Sequence, residues 1–413
     1  MMMASPPTAA VATFLALFAC AVTISGVRAN KLCEGELGQA NWACETLSPV
    51  SATVFGEFLP LPGDPDPANP ILYEQISGEP AFDEVTGERT GNSAAFVLTD
   101  GTYMAMLAES NGEAALFDAP EGSFTSSTTP FPTSSWLPES MKALLAEGTK
   151  LKYMVYTHSH WDHIGNMGSV ATYFADDEPQ AIASRRTRRR LKLKAKNDPD
   201  SVFGNNRGVP LPEWYEEDVL EVGGLRFTID KAHVHMTGDY IVLLDKDDHE
   251  NSAEAGIDTS VLMVVDAVFP GWSPFFSLAI AQNVQAYYEG LDKINGYDFD
   301  VLVAGHFTRL GNKEDVQAEV DYMADILAGA ELGVSTVLPS DIAIGTNIGD
   351  PTDPNFGNSW LFFNEYLERV VDVCYDYVLD SDARGRDWLV DLSGVEPTLR
   401  SHCWTVQNGV RVG

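Results

Sequence analysis

Short apolar runs recur along this 413-residue chain, and several are closed by one polar residue or a turn. Residues 94–98, 103–107 and 114–118 read as early strands of a first sheet. Residues 151–156 (LKYMVY) are apolar and β-prone, and form a further strand. Residues 225–229 and 240–244 read as strands of the second half. The runs at 261–265 and 301–304 are apolar throughout, which suits strands buried on both faces. Helices are expected at 141–146, within 166–174 after the turn at Gly165, and at 314–327, where the pattern is amphipathic. Residues 360–378 are aromatic-rich at helical spacing, with Phe362, Phe363, Tyr366, Leu367 and Val370 on one face. That face is expected to pack on the core; shaping a substrate pocket and forming a subunit contact are the other readings. Residues 120–137 are rich in Ser, Thr and Pro and read as a loop. No internal repeat or coiled-coil heptad is visible.

The N-terminus changes the picture of where the protein works. Residues 9–25 are apolar, and a small-residue cleavage site ends at Ala29, the pattern of a secretory signal peptide over residues 1–29. An uncleaved anchor is the rival, although the apolar stretch is short for a span. No other run is long and apolar enough to cross a membrane. The mature chain is therefore expected to be secreted or to lie in the secretory lumen. Of five cysteines, Cys20 leaves with the signal and four remain. An even number in an exported chain points to disulfides. Local pairing, Cys33–Cys44 and Cys374–Cys403, is the expectation among the three connectivities that four cysteines allow. No Asn-x-Ser/Thr sequon occurs.

A formal charge of −34 repels nucleic-acid phosphate at long range, which argues against nucleic acid as a partner. One segment breaks the trend: residues 185–196 (RRTRRRLKLKAK) hold eight of the 26 basic residues. A solvated helix face is the ordinary reading. A patch drawing anionic substrates and a processing site are the alternatives.

The chemistry is concentrated in one place. Three of the eight histidines fall within six positions, in the run Thr157-His158-Ser159-His160-Trp161-Asp162-His163-Ile164-Gly165. Imidazole and carboxylate together are what zinc and similar divalent metals bind. Four such side chains this close cannot all hold one tetrahedral ion and leave room for a substrate, so the spacing suggests two neighbouring metals. His158 and His160 lie just past a strand and alternate, so both rings can point to one side. Asp162 and His163 approach from the entrance of the following helix. The apolar runs at 261–265 and 301–304 end abruptly in Asp266 and His306. A lone buried Asp or His is costly, and a shared metal removes that cost.

The H-x-H-x-D-H run resembles the signature of the metallo-β-lactamase superfamily. Three downstream motifs agree in order: Ala232-His233-Val234-His235-Met236-Thr237-Gly238-Asp239, the strand ending in Asp266, and the strand ending in His306. The resemblance spans roughly residues 50 to 335. It implies an α+β fold, a four-layer αβ/βα sandwich, here with a C-terminal helical extension. The corresponding division is an N-terminal arm (30–50), a catalytic domain (51–335) and the extension (336–413). It implies that His158, His160 and His235 hold one metal, that Asp162, His163 and His306 hold the other, and that Asp266 bridges them. His235 is favoured over His233 by motif position, and His233 is expected to support the site or pack beside it. The cofactors implied are two divalent ions, zinc first, with iron or manganese as alternatives.

The implied activity is hydrolysis: a water between the metals attacks an electrophilic centre, Asp162 orients it and passes on a proton, and no serine or cysteine nucleophile is required. The aromatic loop at 267–276 starts beside the metals. Trp272, Phe275 and Phe276 could line an apolar pocket or simply pack in the core. Such a pocket suits a small-molecule lactone, ester, thioester or amide. Two other classes fit the same resemblance: a mononuclear iron enzyme like the persulfide dioxygenases, and a non-catalytic binding protein on the same fold.

Overall fold

Alternation along the apolar runs settles how the layers stack. The computed structural model describes residues 59–60, 72–78, 81–82, 91, 93–100, 103–120, 136–197, 209–251, 255–306, 309–338, 342, 351–352 and 360–412. The signal peptide, the 30–50 arm, Cys20, Cys33, Cys44 and most of the 120–137 loop lie outside them.

Among the described residues the first sheet has eight strands, in chain order. They are β1 (Leu59–Pro60), β2 (Leu72–Gly78), β3 (Ser93–Thr99), β4 (Met104–Ser110), β5 (Glu113–Phe117), β6 (Lys150–Tyr156), β7 (Gln180–Ala183) and β8 (Glu213–Trp214). Pairing is antiparallel from β1 to β5 and parallel from β5 to β8. The parallel crossovers carry helices: α1 (Trp136–Leu144), then α2 (Trp161–Ile164) and α3 (Met167–Tyr173), then α4 (Arg185–Asn197). The second sheet runs in the order β13-β12-β11-β10-β9. Its strands are β9 (Val219–Val222), β10 (Leu225–Ala232), β11 (Asp239–Leu244), β12 (Val261–Met263) and β13 (Val301–Val303). Further helices are α5 (Val284–Asn295), α6 (Lys313–Thr336), α7 (Trp360–Leu379), α8 (Ser381–Arg384), α9 (Trp388–Asp391) and α10 (Val395–Val412).

Every residue of β3 and β4 is buried, and successive side chains serve different layers. Ala95 and Val97 point between the sheets with Met104 and Met106, and join Phe227, Val242 and Met263 from the second sheet. Phe96, Leu98 and Leu107 point outward, onto Met141, Leu144, Met167 and Val170 of the outer helices. Leu262 and Leu302 face the opposite way, onto Tyr287, Tyr322 and Ile326 of α5 and α6. Three apolar interfaces thus separate four layers, helices–sheet–sheet–helices, as expected.

The C-terminal helices belong to the outer layer of the second half. Leu367 and Val370 of α7 are buried, Phe363 and Tyr366 half-buried, as the expected face requires; Val371, Cys374 and Val378 continue it. A disulfide joins Cys374 on α7 to Cys403 on α10, as expected. Among the described residues no helix is long and apolar enough to cross a membrane.

Candidate metal centre

The histidine run sits where strand gives way to helix. β6 ends at Tyr156. Thr157 then donates its N–H (2.8 Å) and its hydroxyl (2.6 Å) to the two oxygens of Asp118, the residue that follows β5. That clamp fixes the chain so that His158 and His160 project from one edge of the sheet. His160 is the N-terminal cap of α2 in extended conformation, and Asp162 and His163 occupy the first turns of that helix. The carbonyl of His163 accepts from Ala119 N–H at 2.7 Å, which holds α2 against the Asp118 turn.

His235 comes from the turn between β10 and β11. Gly238 closes this turn with φ +97, and a Cβ there would meet Arg186 Cβ at 2.5 Å, so the position requires glycine. The second histidine of the motif does a different job: His233 Nδ1 accepts from Gly238 N–H at 3.0 Å. Asp239 Oδ2 accepts from Met236 N–H at 2.7 Å and braces the same turn. Asp266 follows β12 in left-handed conformation, φ 61, and His306 follows β13 after Gly305, φ +87.

These seven side chains, from four separate segments, meet at one point. His158, His160, His235 and Asp266 offer donor atoms all within 4.8 Å of one another, and Asp162, His163 and His306 do the same. Asp266 divides between the two groups. Its Oδ2 lies 3.3 Å from His158 Nε2, 3.8 Å from His160 Nδ1 and 3.4 Å from His235 Nε2. Its Oδ1 lies 3.2 Å from His163 Nε2 and 2.7 Å from His306 Nε2. Ring nitrogens also face each other, His160 Nδ1 to His235 Nε2 at 2.9 Å and His163 Nε2 to His306 Nε2 at 3.2 Å. Zinc–nitrogen bonds of roughly 2.0–2.1 Å in a tetrahedral shell set neighbouring donors about 3.3 Å apart, so this spacing fits a pair of cations.

Burial supports the same fit. His158 Nε2 and Asp266 Oδ1 are buried, and their contacts to Asp266 Oδ2 and His306 Nε2 lack hydrogen-bond geometry, an expensive state that a cation relieves. Burial pulls the His158 imidazole down to about 3 and His235 well below the usual range, so both are neutral and offer lone pairs. Burial opposes the charged form of His163 too, but Asp266 and Asp162 outweigh it and raise that ring to about 10. Asp266 answers with a carboxyl held well below its ordinary value, because His163, His306 and His235 overcome the cost of its burial. The buried wall opens on one side: the side chains of Asp162, His160 and His306 are 35%, 20% and 12% exposed, against 2% or less for the other four.

Two contributors escaped the sequence reading. Asp118 is wholly buried, and its carboxylate lies 4.0 Å from His163 Nδ1; burial lifts it to about 7, with His163 and the Thr157 hydrogen bonds pulling the other way. The signal was there, an apolar run at 114–117 closed by one aspartate, as with Asp266. Tyr103 packs its ring 4.9 Å from His306 and 5.6 Å from His163. Burial raises its hydroxyl far above the usual tyrosine range.

The aromatic loop is only partly at the site. Phe275 lies with its ring 6.2 Å from His306, and Phe269, not singled out beforehand, is closer at 5.8 Å. Phe276 is 65% exposed. Trp272 turns towards the C-terminal segment, pairing with Ser393 and covering Gly394.

Fold and site together define a four-layer sandwich with a histidine–aspartate cluster at the edges of both sheets. Residues 98–250 match the sequence profile of the metallo-beta-lactamase superfamily. Solved structures similar to the chain include the BLEG-1 B3 metallo-beta-lactamase, at 18% identity and TM-score 0.37 over 60% of this chain and 96% of that one. A beta-lactamase domain protein from Burkholderia ambifaria aligns at 13% identity and TM-score 0.40 over 67% and 82%. An archaeal superfamily protein from Sulfolobus tokodaii aligns at 15% identity and TM-score 0.35 over 61% and 86%. No curated protein sequence matches the chain.

Proposed function

We propose that the protein is a dinuclear metallo-hydrolase acting on a small molecule of the lactone, ester, thioester or amide type. The observation that carries this reading is the division of Asp266, one carboxylate oxygen towards each triad of donors. His158, His160 and His235 would hold one ion and Asp162, His163 and His306 the other, with zinc the best match to the nitrogen-rich set. Bound there, divalent cations supply Lewis-acid polarisation of a substrate oxygen and acidify a water molecule.

The chain's own residues supply the rest. Asp162 is the more exposed carboxylate and stands on the open side, where it can take the proton of the attacking water and deliver it to the leaving group. Neutral His158 and His235 anchor the closed wall. Asp118 positions His163 and, through Thr157, the start of the histidine run. Phe269 and Phe275 give the His306 side an apolar rim, which favours uncharged acyl groups over polynucleotides. Within this reading residues 51–335 form the catalytic unit, 336–413 an extension packed on it, and a leader over residues 1–29 directs secretion.

The test is a screen of lactone, thioester, β-lactam and phosphodiester substrates with purified protein, alongside Asp162→Ala. Turnover of an acyl substrate should fall at least 100-fold in the variant while circular dichroism is unchanged. Unchanged turnover would remove Asp162 from the chemistry. Oxygen consumption with one iron per chain would replace hydrolysis by the dioxygenase reading.

A further inference from the structure

The basic run at 185–196 takes no part in the metal centre, yet it is built into a defined cleft. It forms α4, whose Thr187 and Leu191 are buried while Arg185, Arg189 and Lys192 are exposed. Positions 185, 188, 189 and 192 are spaced i, i+3, i+4 and i+7 and share one face. With Arg186 and Trp214 they line a cleft of about 480 Å³. That volume suits a small organic ligand.

Regular secondary structure supplies both walls. β7, α4 and β8 form a parallel crossover, and the Ala183–Trp214 register places the indole beside the start of the helix. Ser184 Oγ accepts from Thr187 N–H at 3.1 Å and itself donates to Gly238 at 2.6 Å, which pins the first turn. The Arg185 guanidinium lies over the Trp214 ring, 5.0 Å from its centre.

The charge placement is unfavourable by itself. Like charges at i,i+3 and i,i+4 repel, and arginines in the first turn oppose the helix dipole. The chain carries a net charge of −34, yet among the described residues none of the five cations forms a salt bridge. Four of the five are arginines, whose planar forks match tetrahedral oxyanions with two parallel hydrogen bonds. We propose that this cleft binds a small soluble molecule bearing several phosphate or sulfate groups. Its concave shape favours a free ligand over a lipid surface, and the excess of cations favours more than one anionic group.

The test is isothermal titration of the full protein with inositol hexasulfate at physiological salt, for wild type and the Arg185→Gln/Arg189→Gln/Lys192→Gln variant. One saturable site is expected, weaker at higher salt and at least tenfold weaker in the variant, with circular dichroism unchanged. Trp214→Leu should weaken binding by a smaller factor. Should the triple variant misfold, Arg189→Gln alone gives the comparison, with a loss of a few-fold expected. Absence of saturable binding, or equal binding by the variants, would overturn the assignment. So would binding to vesicles containing phosphatidylinositol bisphosphate, or to a single-stranded oligonucleotide, without binding to inositol hexasulfate. None of these readouts depends on metals or turnover.

Discussion

His402 shows how one residue away from the chemistry can set the pH range of the whole protein. It is wholly buried on α10, with Nδ1 3.0 Å from the Tyr322 hydroxyl on α6 and the ring beside the Pro274 and Phe275 backbone. Burial lowers it to about 4, whereas an unfolded histidine titrates near 6.5. The unfolded chain therefore binds the extra proton first as pH falls. The contribution of His402 to stability is complete above about 6.5 and is lost through the window down to about 4, roughly 3 kcal/mol. Denaturant unfolding at pH 7 and pH 4 should show this decline in wild type and a shallower one in His402→Gln. Equal slopes would mean that His402 is not held neutral. The same burial logic made the metal centre readable in advance. Asp266 and His306 each close an apolar run, a placement that buried polar groups tolerate only with partners. Asp118 obeys the same rule and was missed because the apolar run at 114–117 was read only as an early strand of the first sheet. His233 and His235 differ only in which way a turn points them, which composition does not encode.

At the scale of elements, the runs with strong periodicity were found and their ends were less well placed. α6 reaches Thr336 rather than ending near 327, and α1 begins at Trp136 rather than 141. β12 stops at Met263 because the chain must leave the sheet to set Asp266 in left-handed conformation. Strands as short as β7, β8 and β9 carry too few residues for a pattern, and their pairing comes from the neighbouring strands. The segment Phe276–Ile280 had no signal at all. Residues 277–280 take φ near 54, 56, 53 and 54, a left-handed turn. This conformation costs roughly 1–2 kcal/mol per residue. Burial of Leu278 and Ala279 and the bond from Ser277 N–H to Ser401 Oγ hold it in place beside the aromatic rim. The Cys374–Cys403 link was legible from cysteine parity, and its effect follows from its span. It closes a loop of 29 residues between α7 and α10. Cys374→Ser/Cys403→Ser should lose about 3–4 kcal/mol of stability. Denaturant midpoints measure this, and a loss below about 1 kcal/mol would show that packing of these helices already fixes them.

For the whole molecule, each sheet brings part of the centre to a common edge. The first sheet supplies His158, His160, Asp162 and His163 after β6; the second supplies His235, Asp266 and His306 after β10, β12 and β13. Neither half holds a complete set of donors, so docking of the two sheets through their shared core is what assembles the site. Order of motifs along the chain was enough to anticipate this convergence, since each motif follows a strand that the layered fold aligns. The resemblance implied that Asp266 bridges the two groups, but which of its oxygens faces which group was beyond the sequence, because it depends on distances between separate segments. It is also the most direct point of attack. Elemental analysis of the purified protein and of Asp266→Asn should find two divalent ions per chain in the first and at most one, weakly held, in the second. One ion per chain in both proteins, or two in both, would contradict a centre shared through this carboxylate.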